Sequence, residues 1–170
     1  MPQRPLTPLV LALGAVIAPS LAFGQAATPP EQFNDWVLTQ YTEARNKICY
    51  MGATPQDSAP KNVSRGTVYI NVTHKPGVRD EISINFGYTF EANAEVTVSI
   101  DNATFKMFTN ASTAWNKTAD EDAKMVKAMA AGSRMTVKGK SSRGTETTDT
   151  YSLSGFTAAH TAMDKACPAR

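Results

Sequence analysis

The sequence predicts an all-β fold, an antiparallel β-sandwich of about eight strands with two short peripheral helices. Two observations carry this prediction. Apolar and polar residues alternate through the middle of the chain, which is typical of strands with one buried and one solvent-exposed face. Turn-forming residues separate these stretches at hairpin spacing. Parallel strands tend to be apolar on both faces, so the alternation favours an antiparallel sheet.

The first part of the predicted domain contains two strands and two irregular segments. Residues 28–32 are expected to form a flexible leader, followed by a strand at 34–41. A short second strand is expected at 48–51, and residues 55–64 are expected to form a polar loop.

Three strands in the middle of the chain show the clearest alternation, at 67–74, 81–88 and 95–100. The apolar positions begin with Val68 in the first stretch. They end with Tyr88 in the second stretch and with Ile100 in the third. The residues expected to face a common core are Ile82, Ile84, Phe86, Val96, Val98 and Ile100.

Turn residues link these strands to their neighbours. Residues 75–78 read Lys-Pro-Gly-Val, which fits a type II turn because Pro fixes φ and Gly tolerates a positive φ. Asp101-Asn102 stands at hairpin spacing before a strand at 103–108. A further hairpin is predicted at the C-terminal side, where strands at 135–138 and 147–153 flank residues 141–144.

Two helices interrupt the strands. Thr118 and Glu121 have the spacing of a capping box, and Gly132 is placed to end the first helix. Its expected apolar face comprises Met125, Val126 and Met129. The second helix is expected to begin with Ser154 as its cap and to close at Cys167-Pro168. Its expected apolar face comprises Phe156, Ala159 and Met163.

The first 26 residues have the order of a secretory signal peptide. Arg4 precedes an apolar run at 9–18, and small residues follow, so cleavage is expected after Gly24 or Ala26. The alternative is a membrane anchor, but the run has about 10 residues and a membrane-spanning helix needs roughly 20. We therefore expect a periplasmic or secreted protein, with residues 27–170 as a single domain and no transmembrane segment after cleavage.

Charge and cysteine usage narrow the function classes. After cleavage the chain carries 16 basic and 15 acidic residues, a net charge of +1, which gives no electrostatic reason to bind nucleic acid. The two cysteines, Cys49 and Cys167, are predicted to form one structural disulfide in an oxidising compartment. A redox or metal site is the alternative, although redox motifs usually place two cysteines close together.

Motifs that carry chemistry are largely missing from the sequence. No nucleophile elbow, zinc-protease motif or glycine-rich phosphate loop is present, so no catalytic residue, cofactor or metal ligand is predicted. His74 and His160 are interpreted as surface or partly packed imidazoles. A modest basic cluster of Arg134, Lys138, Lys140 and Arg143 is the candidate interaction patch, with a solvated strand face as the alternative.

The C-terminal third of the chain carries a resemblance to a known family. Residues 128–139 read AMAAGSRMTVKG and lead into Ser-Arg-Gly-Thr at 142–145, and residues 149–159 read DTYSLSGFTAA. With Trp36, the strands at 68–74 and 81–88, and Trp115, these segments resemble the invasion-associated locus B family of Gram-negative envelope proteins. The segment Leu-Ser-Gly-Phe at 153–156 is the most specific part.

The resemblance implies a secreted β-sandwich protein from a family named for a role in host-cell entry, with no catalytic residues to transfer. Founding members have a further cysteine pair in the middle of the chain, whereas residues 108–115 here contain none, which weakens the case for a virulence role. Three function classes follow. The favoured one is a non-enzymatic envelope protein that binds another envelope protein or a surface polymer. A surface-exposed adhesion or invasion factor and a hydrolytic enzyme are the alternatives.

Overall fold

A computed structural model describes residues 28–168 as an antiparallel β-sheet protein with two helices. This confirms the predicted all-β class, but the described chain has 11 strands rather than about eight, all in one continuous sheet. The strands are β1 (Thr28–Phe33), β2 (Trp36–Glu43), β3 (Asn46–Ala53), β4 (Asp57–Ala59), β5 (Tyr69–Lys75), β6 (Val78–Asn85), β7 (Glu95–Ile100), β8 (Ala103–Asn110), β9 (Thr113–Trp115), β10 (Arg134–Lys140) and β11 (Glu146–Ser152). The helices are α1 (Ala119–Ala131) and α2 (Phe156–Ala166).

The sheet curves so that its two ends meet. Its strand order is β1-β2-β3-β5-β6-β9-β8-β7-β10-β11-β4. Although β2 and β11 stand near opposite ends of this order, the indole nitrogen of Trp36 donates to the carbonyl of Ser152 at 3.1 Å. The backbone nitrogen of Asp35 likewise reaches the carbonyl of Ser154 at 3.3 Å. The curved sheet therefore encloses one core.

The predicted inward positions all lie in this core, which confirms the strand register. Ile82, Ile84, Phe86, Val96, Val98 and Ile100 are at most 2 % exposed. The short strand β9 bridges β6 and β8 and thereby joins the two halves of the sheet. Val68 and Tyr88, at the ends of two alternating stretches, lie outside the strands and are only partly buried.

Two segments predicted to be irregular contain strands. Residues 28–32 were expected to be a flexible leader, but they belong to β1, which pairs with β2 and has a bulge between Thr28 and Glu31. Pro29 and Pro30 fall in this bulge, where a missing backbone N–H is tolerated. The expected polar loop at 55–64 contains β4, which pairs with β11.

The predicted cap residue is correct for α1 and wrong for α2. Thr118 caps α1 as predicted, since its hydroxyl accepts from the backbone nitrogen of Glu121 at 3.2 Å. The α2 helix instead begins after Gly155, whose φ of 90° is left-handed, and no side chain caps it. The prediction that Ser154 caps α2 was therefore wrong: its hydroxyl accepts from the side-chain nitrogen of Asn34 at 3.1 Å.

The predicted disulfide is present and fixes α2 to the sheet. Cys49 on β3 and Cys167 at the end of α2 are bonded, with their Cα atoms 6.0 Å apart. Neither helix in residues 28–168 combines the length and apolar character needed to cross a bilayer. The predicted signal peptide at 1–26 lies outside the described residues.

Candidate functional site

The β5–β6 hairpin and α2 bring both histidines of the chain to one carboxylate. His74 is at the end of β5, and Asp80 follows the two-residue turn at 76–77 on β6. His160 projects from α2, with Asp164 one turn further along the same helix. We call these four residues the His–Asp cluster.

The centre of the His–Asp cluster is an oxygen of Asp80. The Nε2 atoms of His74 and His160 each lie 2.7 Å from Asp80 Oδ1. His74 is 2 % exposed and Asp80 7 % exposed, so this convergence is shielded from water. The two imidazole rings are 5.8 Å apart at nearly a right angle.

The second nitrogen of each imidazole faces an acceptor. Nδ1 of His74 lies 3.2 Å from the carbonyl oxygen of Cys167, and Nδ1 of His160 lies 3.5 Å from Asp164 Oδ2. Arg79 links the two carboxylates, because its Nη2 is 2.6 Å from Asp164 Oδ1 and its Nε is 3.3 Å from Asp80 Oδ2.

The electrostatic environment favours an ionised Asp80. Burial alone would raise the pKa of this carboxyl, but hydrogen bonds from His160 and His74 outweigh burial and hold the pKa well below its usual range. The backbone at Asp80 has a φ of 59°, which is unusual for a residue other than glycine. A buried, ionised carboxylate in a strained conformation beside two imidazoles is typical of a functional site.

Packing holds His160 in place. Phe156, one turn earlier on α2, stacks on the His160 ring at a centroid distance of 5.9 Å. Phe156 is fully buried and meets Trp36 edge to face at 4.9 Å. The position of His160 therefore depends on how α2 is anchored on β2.

A cleft of about 390 Å³ lies beside the His–Asp cluster and the disulfide. Arg45, Lys47 and Lys75 contribute basic side chains to its lining. Its remaining lining includes Asn46, His74, Pro76, Val78, Ala166, Cys167 and Pro168. The cleft can therefore take a ligand that combines negative charge with apolar surface.

The turn between β2 and β3 holds Arg45 at this cleft. Ala44 and Arg45 have φ values of 47° and 71°, so the turn uses two left-handed residues, neither of which is glycine. Left-handed residues other than glycine cost free energy and concentrate at functional sites.

The predicted interaction patch lies elsewhere. Arg134, Lys138, Lys140 and Arg143 are all exposed on β10 and in the turn that follows it. Acidic residues adjoin the patch: Glu146 pairs with Lys140 across the β10–β11 ladder, and Glu95 shares a recess with Lys138 and Lys140.

The sequence alone did not predict the His–Asp cluster as a site. Two local signals existed: the i,i+4 spacing of His160 and Asp164 on a helix, and the placement of His74 and Asp80 on either side of a predicted tight turn. Neither signal reveals that α2 packs over β1, β2 and β3 with His160 reaching Asp80, which is what brings residues 74, 80 and 160 together.

Comparisons with known proteins agree with the fold. The family description "Invasion associated locus B (IalB) protein" matches residues 36–164. The crystal structure of invasion associated protein B from Bartonella henselae is similar, with a TM-score of 0.59 and 14% sequence identity, over 81% of this chain and 96% of that chain. No curated protein matches the chain. Because the family match spans most of the sequence, the chain belongs to the invasion-associated locus B family.

Proposed function

We propose that this protein is a non-enzymatic binding protein of the invasion-associated locus B type that works in the periplasm or as a secreted protein. The observation that carries the proposal is the Cys49–Cys167 disulfide, which closes nearly the whole described fold. Disulfides of this kind persist in oxidising compartments outside the cytoplasm. The signal-peptide pattern of residues 1–26 agrees with that location.

The cleft beside the disulfide supports a binding role. Its basic side chains and its apolar wall complement a segment of an envelope protein that carries acidic and apolar residues. The cleft is a better candidate than the predicted patch at 134–143, because it combines basic side chains with an apolar wall in a recess of about 390 Å³, whereas the patch residues are exposed on a strand and a turn. In the described part of the chain, neither imidazole hydrogen-bonds to a hydroxyl or thiol, so a Ser or Cys hydrolytic triad lacks support.

Site-specific photocrosslinking in the native cell tests this proposal. A photoreactive residue is placed at Lys47 in the cleft, at Lys138 in the patch, or at exposed Lys124 on α1 as a matched control. We expect one discrete adduct from position 47 and none from position 124. Reversing two cleft charges, with Arg45→Glu and Lys75→Glu, is expected to abolish that adduct.

The same cells test location. We expect the protein to fractionate with the periplasm or the medium and to resist alkylation unless it is reduced. Recovery in the cytoplasm with two free thiols contradicts the proposal. Adducts from position 138 but not from position 47 would move the binding surface to the patch. Digestion of the protein by protease added to intact cells would instead favour a surface-exposed adhesion factor.

A further inference from the structure

We propose that the His–Asp cluster binds a divalent transition-metal ion, with Zn²⁺ as the best match, through Nε2 of His74, Nε2 of His160 and the carboxylate of Asp80. This site goes beyond the proposed binding function and does not depend on it. Two imidazoles and one carboxylate form a ligand set that zinc proteins use together with a fourth, exchangeable ligand.

The distances fit such a site. The three ligand atoms lie within 4.8 Å of one another. Zinc bonds to nitrogen and oxygen are about 2.0–2.2 Å long, so tetrahedral ligand atoms stand roughly 3.3 Å apart. The two N–O separations of 2.7 Å would widen by only about 0.6 Å to admit the ion. The two Nε2 atoms, which both contact Asp80 Oδ1, already lie within 4.8 Å of each other.

The orientation of the rings is the strongest argument. A histidine that ligates a metal through one nitrogen usually donates its other ring N–H to a carbonyl or a carboxylate. His74 has this arrangement, since its Nδ1 hydrogen-bonds to the carbonyl of Cys167 at 3.2 Å. Nδ1 of His160 faces a carboxylate, Asp164 Oδ2, at the longer distance of 3.5 Å. With the Nδ1 protons so placed, both Nε2 lone pairs point toward Asp80.

Hydrogen bonds alone explain the positions of these atoms less well than a bound metal ion does. Both of His74's nitrogens face acceptors, so hydrogen bonding at both requires a buried imidazolium. Nε2 of His160 meets the same oxygen of Asp80, so the cluster gathers two imidazole nitrogens at one atom. A divalent cation would let both rings remain neutral and would satisfy all three atoms at once.

Charge and access also suit a cation. With neutral imidazoles, the His–Asp cluster carries two carboxylate charges, and neighbouring Arg79 balances only one of them, which leaves a net charge of −1. The side chain of Asp164 is 33 % exposed, which gives an ion a route from solvent.

Metal titration of the mature, oxidised and untagged protein tests the proposal. The protein is stripped with a chelator, and Zn²⁺ is titrated in competition with a chromophoric chelator. We expect one ion per chain, a visible Co²⁺ spectrum typical of four-coordinate geometry, and a rise in melting temperature with Zn²⁺. His160→Gln is expected to weaken binding at least 100-fold, and Asp164→Asn about 10-fold as a loss of ring orientation. Exposed Asp120→Asn, on α1, is the matched control and leaves binding unchanged.

A second measurement does not depend on any variant folding. The chain has only two histidines, so ¹⁵N-histidine NMR of the wild-type protein reports on both ligands without ambiguity. We expect Zn²⁺ to shift both Nε2 resonances and to leave both Nδ1 atoms protonated. Unchanged histidine resonances with one equivalent of Zn²⁺, or equal affinity of the wild-type protein and a folded His160→Gln variant, overturn the proposal.

Discussion

Two buried carboxylates, Asp80 and Asp149, are held by different kinds of partner. Asp149 on β11 is 1 % exposed and receives both terminal nitrogens of Arg65, with Nη1 at 2.8 Å from Oδ2, and the hydroxyl of Ser58 at 2.6 Å. Asp80 on β6 is also buried but receives two imidazoles. Both carboxylates lie on strands and point away from solvent, so their partners make the difference.

The partner decides what each carboxylate can do. Arg65 cannot release its proton, and its hydrogen bonds to Asp149 raise the pKa of the guanidinium further. This pair can only hold the segment before β5 against β11. An imidazole can exchange its Nε2 proton for a metal ion. The Arg65–Asp149 pair is therefore a structural connection, whereas the His–Asp cluster has the chemistry of a site.

The largest expected effect comes from breaking the Arg65–Asp149 pair. Arg65→Met leaves Asp149 buried without its counter-charge, and we expect a loss of about 3–5 kcal/mol in the free energy of unfolding. Urea denaturation measures this loss. The double variant Arg65→Met with Asp149→Leu is expected to recover most of it. Because the pair is not part of the His–Asp cluster, Zn²⁺ affinity of the folded variant stays unchanged; a tenfold change would mean that the two regions are coupled.

Removing the aromatic support of His160 affects stability and the His–Asp cluster together. Phe156 is fully buried between Trp36 and His160, so Phe156→Ala is expected to cost about 3–4 kcal/mol. We also expect Zn²⁺ affinity of the folded fraction to fall at least tenfold, because the ring of His160 loses its stacking partner. Phe108→Ala, at a residue that is 40 % exposed on β8, is the control and should change little in either measurement.

Either Gly155 or Ser154 could determine where α2 begins, and α2 carries His160. Substitutions at the two residues distinguish these possibilities. At Gly155 the φ of 90° disfavours a side chain, and a Cβ would lie 1.9 Å from the carbonyl oxygen of Phe33. Gly155→Ala is therefore expected to cost about 2 kcal/mol or more in thermal or urea unfolding. Ser154→Ala should stay within about 0.5 kcal/mol, since Ser154 makes no cap. The reverse order of effects would restore Ser154 as the helix cap.

The elements that the sequence predicted correctly depend on local patterns. The alternation in β5, β6 and β7, the turn at 75–78 and the Thr118 cap of α1 each depend on only a few residues that are close in sequence. The disulfide was predictable because the chain has two cysteines and the N-terminal sequence predicts export to an oxidising compartment. β1 was missed because Pro29 and Pro30 argue against a strand, and only the pairing with β2 accommodates them in a bulge.

The His–Asp cluster was missed for a different reason. Residues 80 and 160 are brought together by α2 folding back over the sheet, and no local pattern encodes that contact. The packing of Phe156 on Trp36 and the Cys49–Cys167 bond set the position of α2. Long-range packing of this kind depends on the whole core, so the constituent residues could be seen in the sequence but their convergence could not.

The smallest expected effect concerns a third buried carboxylate, Asp122, for which residues 28–168 provide no cationic partner. Its Oδ1 accepts from the side-chain nitrogen of Asn116 at 2.9 Å and from the backbone nitrogen of Ile82 at 3.1 Å. Burial raises the pKa of Asp122, and these two hydrogen bonds offset only part of that rise. A raised folded-state pKa means that the protonated form contributes stability at low pH, and this contribution is lost as pH rises through that pKa.

Asp122→Asn keeps the accepting oxygen and removes the charge. Two effects then oppose each other at neutral pH: the variant avoids burying an ion, but it gives up an acidic residue in the first turn of α1, where the helix dipole favours negative charge by about 0.3–1 kcal/mol. We therefore expect the variant to lie within about 1 kcal/mol of the wild type at pH 7. Between pH 4 and pH 7 the difference should shift in favour of the variant, as measured by urea midpoints at each pH.

Exposed Asp120→Asn is the matched control, because it removes a charge from the same helical turn without the burial. It should lose a few tenths of a kcal/mol at pH 7 and show no shift in its own favour as pH rises. If Asp122→Asn instead costs more than about 3 kcal/mol at pH 7, the charge of Asp122 is paired as strongly as that of Asp149. In that case, pairing with a guanidinium, as at Asp149, would stabilise a buried carboxylate no more than hydrogen bonds from amides, as at Asp122.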